Sequence, residues 1–255
     1  MDYSPWHLLQ IAGGIAVLVG ATTAILHAHG VRVGWRPAVA IARAIVQLAA
    51  VSVLLSATLR WPALIVVFLA LMFSTATFTG ARRASGLPGG RRAAALAIIA
   101  GGATATSLAL VLGLVGLDVQ QVIAIAGITI GNAMSSSTLT ARKYLASARA
   151  GMGEIEGMLA LGATPSQATA RIRRDAVREA LIPTMDQTRN TGLVTLPGAF
   201  VGALFGGLSP VGAGIFQVTV LASVMLSQAV TATILSTMVG RSPVLPAPET
   251  TPTPA

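Results

Sequence analysis

The stretch Gly153–Gln167, GEIEGMLALGATPSQ, holds the most spacing-dependent features of the sequence. Glu154 and Glu156 open a helical pattern in which Ile155, Met158, Leu159 and Leu161 can share a side. Gly162 stands where a left-handed C-terminal cap belongs. Thr164 can cap a following helix, Pro165 suits its first position, and Gln167 completes a capping box with Thr164. The chemistry on offer is recognition: a rigid turn with a small residue at its tip and charges around its rim. The second helix is expected to stop at Pro183. Its apolar side holds Ala168, Ile172, Ala176 and Val177. Arg171, Arg174, Asp175 and Arg178 offer i,i+3 and i,i+4 ion pairs on the other.

Residues for other chemistries are scarce. The absence of cysteine excludes disulfides, thiolate metal sites and cysteine nucleophiles. His7, His27 and His29 fall at the edges of apolar segments, and His27 and His29 point apart on a helix, so no metal site is assigned. A Walker A loop needs a lysine followed by serine or threonine. The single lysine, Lys143, precedes Tyr144. The chain therefore lacks a P-loop and any bound cofactor of its own, and ATP chemistry must come from a partner.

The elements that position these residues are membrane helices. The chain of 255 residues is 54% hydrophobic and 10% charged. Seven segments approach the roughly 20 apolar residues of a helical span: 8–27, 38–59, 63–80, 94–115, 119–140, 190–208 and 211–239. The expected fold class is an all-α polytopic membrane protein with about seven transmembrane helices. Residues 1–240 are read as the membrane domain, with a cytoplasmic region at 141–189, and 241–255 as a disordered proline-rich tail. The net charge of +9 raises nucleic-acid binding, but 15 of the 17 basic residues fall in one set of loops. That is the positive-inside pattern of a bilayer protein, with the N-terminus outside and the C-terminus cytoplasmic. Trp6, Trp35 and Trp61 sit at expected water–lipid boundaries. MDYSPWHLLQ has no basic n-region, so a cleavable signal is not expected.

Inside the spans, Arg43 and Gln47 (ARAIVQLAA), Asn132 and Met134 (GNAM) and Gln217 are the polar or soft groups at membrane depth. Such residues are costly in hydrocarbon and are candidates for a translocation path. Their alternative roles are snorkelling for Arg43 and interhelical hydrogen bonding for Asn132 and Gln217. Pro197–Gly198 breaks the sixth segment, and Gly198, Gly202 and Gly206 place a glycine stripe on one face. The stripe is read either as helix packing or as a discontinuous helix lining a path. No expected span holds Asp or Glu, which counts against a proton-coupled secondary carrier.

The spacing from Glu156 to Gly162 resembles the coupling loop of ABC importer permeases, whose elbow docks into a separate ATPase subunit. The alternative is an amphipathic helix lying on the membrane surface. Five further motifs, GNAM at 131–134, LGATPSQA at 161–168, ALIPT at 180–184, GLVTLPG at 192–198 and GGLSPVGAGIFQ at 206–217, occur in order. Together with Arg43 and Gln47 they resemble the FetB-like family of bacterial iron-export permeases, which has plant aluminium-tolerance relatives. The resemblance covers all but the tail. It implies a multi-pass permease of the cell (inner) membrane, paired as a homodimer and powered by an ABC ATP-binding subunit. It also places Glu154, Glu156, Gly162, Thr164 and Pro165 in the coupling elbow, and Arg43, Gln47, Asn132, Met134, Pro197, Gly198 and Gln217 along the path. Where those permeases often carry two methionines after the Leu-Pro-Gly, this chain has Ala199 and Phe200. A permease for a non-metal solute and an ion-gradient-driven carrier remain the competing readings.

Overall fold

Caps fix several of the helix starts in the computed structural model, which describes residues 4–242. The Ser4 hydroxyl accepts the His7 N–H ahead of α1 (Pro5–Ala28). Asp118 does the same from Gln121 ahead of α5 (Val119–Ala150), and Ser209 from Gly212 ahead of α10 (Pro210–Gly240). Between these lie α2 (Arg36–Arg60), a 3₁₀ turn at Pro62–Leu64, α3 (Ile65–Arg83) and α4 (Gly90–Val111). α6 (Met152–Ala160), α7 (Pro165–Ala168), α8 (Ala170–Asn190) and α9 (Gly198–Phe205) complete the set. Among the described residues the only β-type pairing is an isolated bridge between Thr191 and Thr195. The expected tail lies, from residue 243 onward, outside the described residues.

Among the described residues, six helical segments are long and apolar enough to cross a bilayer: α1, α2, Pro62–Arg83, α4, α5 and α10. They match six of the seven expected segments. The seventh, 190–208, is not one helix, because Pro197 separates the end of α8 from the eight residues of α9.

The chain divides into two units, Met1–Trp61 and Pro62–Ala255. The first pairs α1 with α2, whose most apolar windows have no buried residues. The second is built on α4, α5 and α10. Ala93, Ala97, Gly101, Ala105 and Ala109 recur every fourth residue on α4, and all are buried. Small residues at this spacing let backbones approach closely, which is how helices pack where lipid offers no hydrophobic drive. At Gly101 the approach is tightest: a Cβ there would press on Thr231 and lie 2.5 Å from the Ser227 carbonyl of α10. The Thr231 hydroxyl donates back to the Ala97 carbonyl at 3.2 Å.

Two expectations about 141–189 are corrected. Residues 141–150 are not loop but the continuation of α5, whose 32 residues extend about 48 Å, well past a 30 Å hydrocarbon core. Nor does the later helix stop at Pro183, since α8 continues through it to Asn190. A proline costs one hydrogen bond, but α8 is gripped on both sides of it: Ala180 and Thr184 are buried, and the helix packs on both α5 and α10. Neighbouring helices make such a proline tolerable.

Candidate functional site

The elbow comes first in the chain. α6 ends in a Schellman cap, with the Ala163 N–H donating to the Met158 carbonyl and the Gly162 N–H to Leu159, both at 3.0 Å. Gly162 has φ +89°, which favours glycine, and nothing lies within 4 Å of where its Cβ would be. Thr164 then caps α7 in a complete capping box with Gln167, and Pro165 takes the first helical position. Glu154 accepts from Arg171 at 2.7 Å, tying α6 to α8 across the turn, whereas Glu156 is exposed. Ile155, on the inner face of α6, is buried in one cluster with Tyr144, Ala148, Ile172, Leu235 and Val239. The unit is therefore seated on the ends of α5 and α10, and not laid on a membrane by an apolar face. Leu161 does not share that face. It stands 90% exposed beside Gly162 and gives the tip an apolar knob.

Past the elbow, α8 runs antiparallel to α5 and α10. Lys143 on α5 bonds Glu179 at 3.3 Å, and a Cβ at Gly240 would meet Thr169 and Arg173. Further on, Ala199 of α9 packs with Ile128, Phe216 and Val220. A cleft of about 320 Å³ has Gly202, Ala203 and Gly206 on one side and Gln120, Gln121 and Ala124 on the other. The chain thus climbs from the level of Lys143 at Glu179 to the level of Ile128 at Ala199. At 1.5 Å per residue, Asn190 stands near the level of Asn132, roughly the middle of α5's apolar stretch. The end of α8 and α9 together take the place of the expected seventh segment, and neither helix is among those long and apolar enough to cross a bilayer.

The far end of α8 carries exposed charge. Asp186, Gln187, Arg189 and Asn190 lie there, and all are exposed. Asp186 Oδ1 is 3.8 Å from Arg189 Nη1. Polar and ionised groups at that depth do not face hydrocarbon, so this face borders water or another protein surface. Among the described residues, the six helices long and apolar enough to cross a bilayer hold no Asp or Glu, as expected, and Asp186 lies outside them on α8. Reading Pro183 as a helix stop hides the second half of α8. The break itself is a compact turn: Gly192 has φ +91°, its N–H donates to the Thr195 carbonyl at 2.9 Å, and the Val194 N–H reaches Asn190 at 3.1 Å. Pro197 caps α9 and Gly198 begins it. An added Cβ at Gly198 or Gly202 would meet nothing within 4 Å, so among the described residues no helix packs closely on these two glycines.

A polar seam runs between α5 and α10 at the same depth. Asn132 Nδ2 donates to the Ile128 carbonyl at 2.8 Å, and its Oδ1 accepts from Gln228 Nε2 at 3.2 Å. Ser136 donates to the Gln228 carbonyl and Ser227 to the Thr129 carbonyl. Thr106 and Thr129 share a hydroxyl contact of 2.8 Å. Gln228 is 4% exposed and its Oε1 has no partner. It escaped the sequence reading because one glutamine in a long apolar run carries no spacing signal. Gln217, also buried with an unpaired Oε1, lies about three turns earlier on the same face of α10. Met134 turns away from the seam, toward Leu69, Met72 and Phe73 of α3. Arg43 and Gln47 share an exposed face of α2 in the N-terminal unit. Among the described residues, no three His, Asp or Glu side chains gather as a metal site.

Comparison with known proteins places this architecture. The family described as "Uncharacterised protein family (UPF0014)" matches residues 9–243. Rice UPF0014 membrane protein STAR2 (Oryza sativa subsp. japonica) is 34% identical over 78% of this chain and 70% of its own length. Protein ALUMINUM SENSITIVE 3 of Arabidopsis thaliana is 35% identical over 65% of the chain and 60% of its own. The "Probable iron export permease protein FetB" of Escherichia coli (strain K12) is 38% identical over 55% of the chain and 54% of its own. No solved structure matches the chain. With a family match over nearly its whole length and an all-helical, multi-span fold, the chain belongs to the UPF0014 family of membrane proteins.

Proposed function

We propose that the chain is the membrane-spanning permease subunit of an ABC transporter, working as a homodimer with a separate ATP-binding subunit and exporting a metal cation such as iron. One observation carries the reading: α8 is a continuous helix of 21 residues joining the elbow to the break in the span. A rod about 32 Å long, docked at one end by a nucleotide-driven partner, moves the polar turn at its other end. The elbow supplies what docking requires: a turn fixed by two caps, an exposed Leu161 and the free carboxylate of Glu156. The sole lysine precedes a tyrosine, so the ATP site belongs to the partner. The relative named a probable iron export permease supports the cargo class.

The break also favours cations on chemical grounds. α8 ends with its carbonyls, the negative pole of its dipole, directed into the membrane interior, and Asp186 adds a carboxylate there. The unpaired oxygens of Gln228 and Gln217 are neutral acceptors on the neighbouring helix. A second reading, a carrier driven by an ion gradient, gains from the same Asp186, because such carriers place a carboxylate at depth.

Affinity purification from the native membrane in mild detergent separates the two. The expected result is a stoichiometric ATP-binding subunit that is lost when Leu161 and Glu156 are replaced together by Ser and Gln. With Gly162→Val, expected to insert normally, metal-stimulated ATP hydrolysis should fall at least about tenfold, since a β-branched residue does not accept φ +89°. Recovery of the chain alone, with transport that follows an ion gradient, would sink the ABC reading.

A further inference from the structure

We infer that the cleft between α8 and the end of α10 is a binding site for the phosphate of an anionic phospholipid headgroup. The cleft measures about 570 Å³ and is lined by Arg173, Arg174 and Arg178 of α8 and by Thr233, Ser236 and Thr237 of α10. Three cations face three hydroxyls, and no acidic side chain is among the described residues that line it. Guanidinium forks with adjacent hydroxyls are the groups that recognise phosphate oxygens.

Two of the local carboxylates are engaged elsewhere, and Asp175 is exposed and not among the residues that line the cleft. Glu179 bonds Lys143, and Glu154 bonds Arg171 on another face of α8. None of the three cleft arginines pairs with a carboxylate among the described residues. Arg173 is held in place: its Nη2 donates to the Ser166 carbonyl at 3.0 Å, its stem packs against Gly240, and its buried Nε has no partner. Arg174 is positioned less tightly, with Nε 3.4 Å from the Ala170 carbonyl. One fixed and two adjustable guanidiniums make a site that is partly built before any ligand arrives.

Depth selects the lipid over a soluble anion. Asn132 pairs with Gln228 and the two helices run parallel, so the end of α5's apolar stretch near residue 140 is level with about residue 236 of α10. Ser236 and Thr237 then stand at the edge of the hydrocarbon, beside the layer that phospholipid phosphates occupy, with Thr233 about one turn inside it. The register of α8 sets Arg178 against the membrane end of the cleft and Arg173 against the cytoplasmic end. A headgroup enters this site without leaving the bilayer, and an anionic leaflet is drawn to juxtamembrane arginines.

The test uses the full chain purified in a neutral detergent and read by native mass spectrometry, titrated with phosphatidylglycerol or phosphatidylcholine. Wild type should retain phosphatidylglycerol at least about tenfold more tightly than phosphatidylcholine. Arg174→Gln with Arg178→Gln, both exposed and outside the packed core, should abolish that preference. Arg91→Gln with Arg92→Gln, which removes the same charge at the start of α4, should keep it. Equal retention of the two lipids by wild type overturns the site. So does an equal loss in the Arg91/Arg92 variant, which would reduce the effect to general charge. If 10 mM inorganic phosphate displaces the lipid or binds in its place, the site is one for a soluble phosphate and the headgroup assignment is wrong.

Discussion

At the residue scale, the charge on the far half of α8 decides between the roles proposed for this segment. Asp186 and Arg189 are one turn apart, with side chains 58% and 73% exposed in the single chain. Neither is part of the packed core, so replacing either costs little in folding and its effect on transport is interpretable. Asp186→Asn keeps the size and removes the charge. Metal export measured in cells or proteoliposomes should drop at least about tenfold, while the amount of inserted protein stays the same. Export at the wild-type rate would make the carboxylate incidental. Gln228→Met tests the seam in a different way. Interhelical hydrogen bonds in membranes contribute about 0.6 kcal/mol on average, so the melting temperature should barely move even if export falls. Asn132 and Gln217 were legible from sequence because each lies in a motif, GNAM and GGLSPVGAGIFQ, whereas Gln228 lies in none. Asp186 and Arg189 were hidden by their setting: MDQTRN reads as a loop, and its partners on α5 lie some 50 residues earlier.

At the element scale, the packing of α4 on α10 and the length of α8 carry the argument. Gly101→Val places a branched side chain against the Thr231 side chain and the Ser227 backbone carbonyl of α10. An overpacked seam costs about 1–3 kcal/mol, read as a clear fall in melting temperature in detergent. Gly131 offers the contrast, because nothing lies within 4 Å of its absent Cβ. Gly131→Ala should leave stability unchanged or raise it slightly, as alanine replaces glycine in a helix. If Gly101→Val were tolerated, α4 and α10 would not be in the contact described. The small-residue spacing of α4 was present in the sequence but unremarked beside the louder stripe at 198–206. That stripe proved to face a cleft. The elbow was the most legible element, because caps and boxes are local: Gly162, Thr164, Pro165 and Gln167 adopt the conformations their types demand. The course of α8 was the least legible, since whether a proline ends a helix depends on neighbours that local sequence does not reveal.

At the scale of the whole molecule, six helices among the described residues are long and apolar enough to cross a bilayer. If α8 and α9 together make a seventh crossing, residues 4 and 242 lie on opposite sides, and the basic loops predict that the N-terminal side is outside. The cysteine-free sequence makes this directly measurable, since every engineered cysteine is the sole thiol. Ser4→Cys, at the exposed cap of α1, should react with a charged maleimide in intact cells. Ser85→Cys, exposed between α3 and α4, should react only after the membrane is opened. The informative position is Asn190→Cys, exposed at the end of α8 and level with the middle of α5. If the broken span borders a water-filled path, a small charged thiosulfonate reaches it from one side of the membrane. The accessible side should switch when the ATP-binding partner is trapped with nucleotide, because α8 ties the elbow to the break. Labelling of Ser85→Cys but not Ser4→Cys in intact cells would reverse the orientation while leaving the fold intact. An Asn190→Cys that reacts only with lipophilic reagents would be more damaging. It would mean that Asp186 and Arg189 are covered by the partner copy, and that the path runs elsewhere.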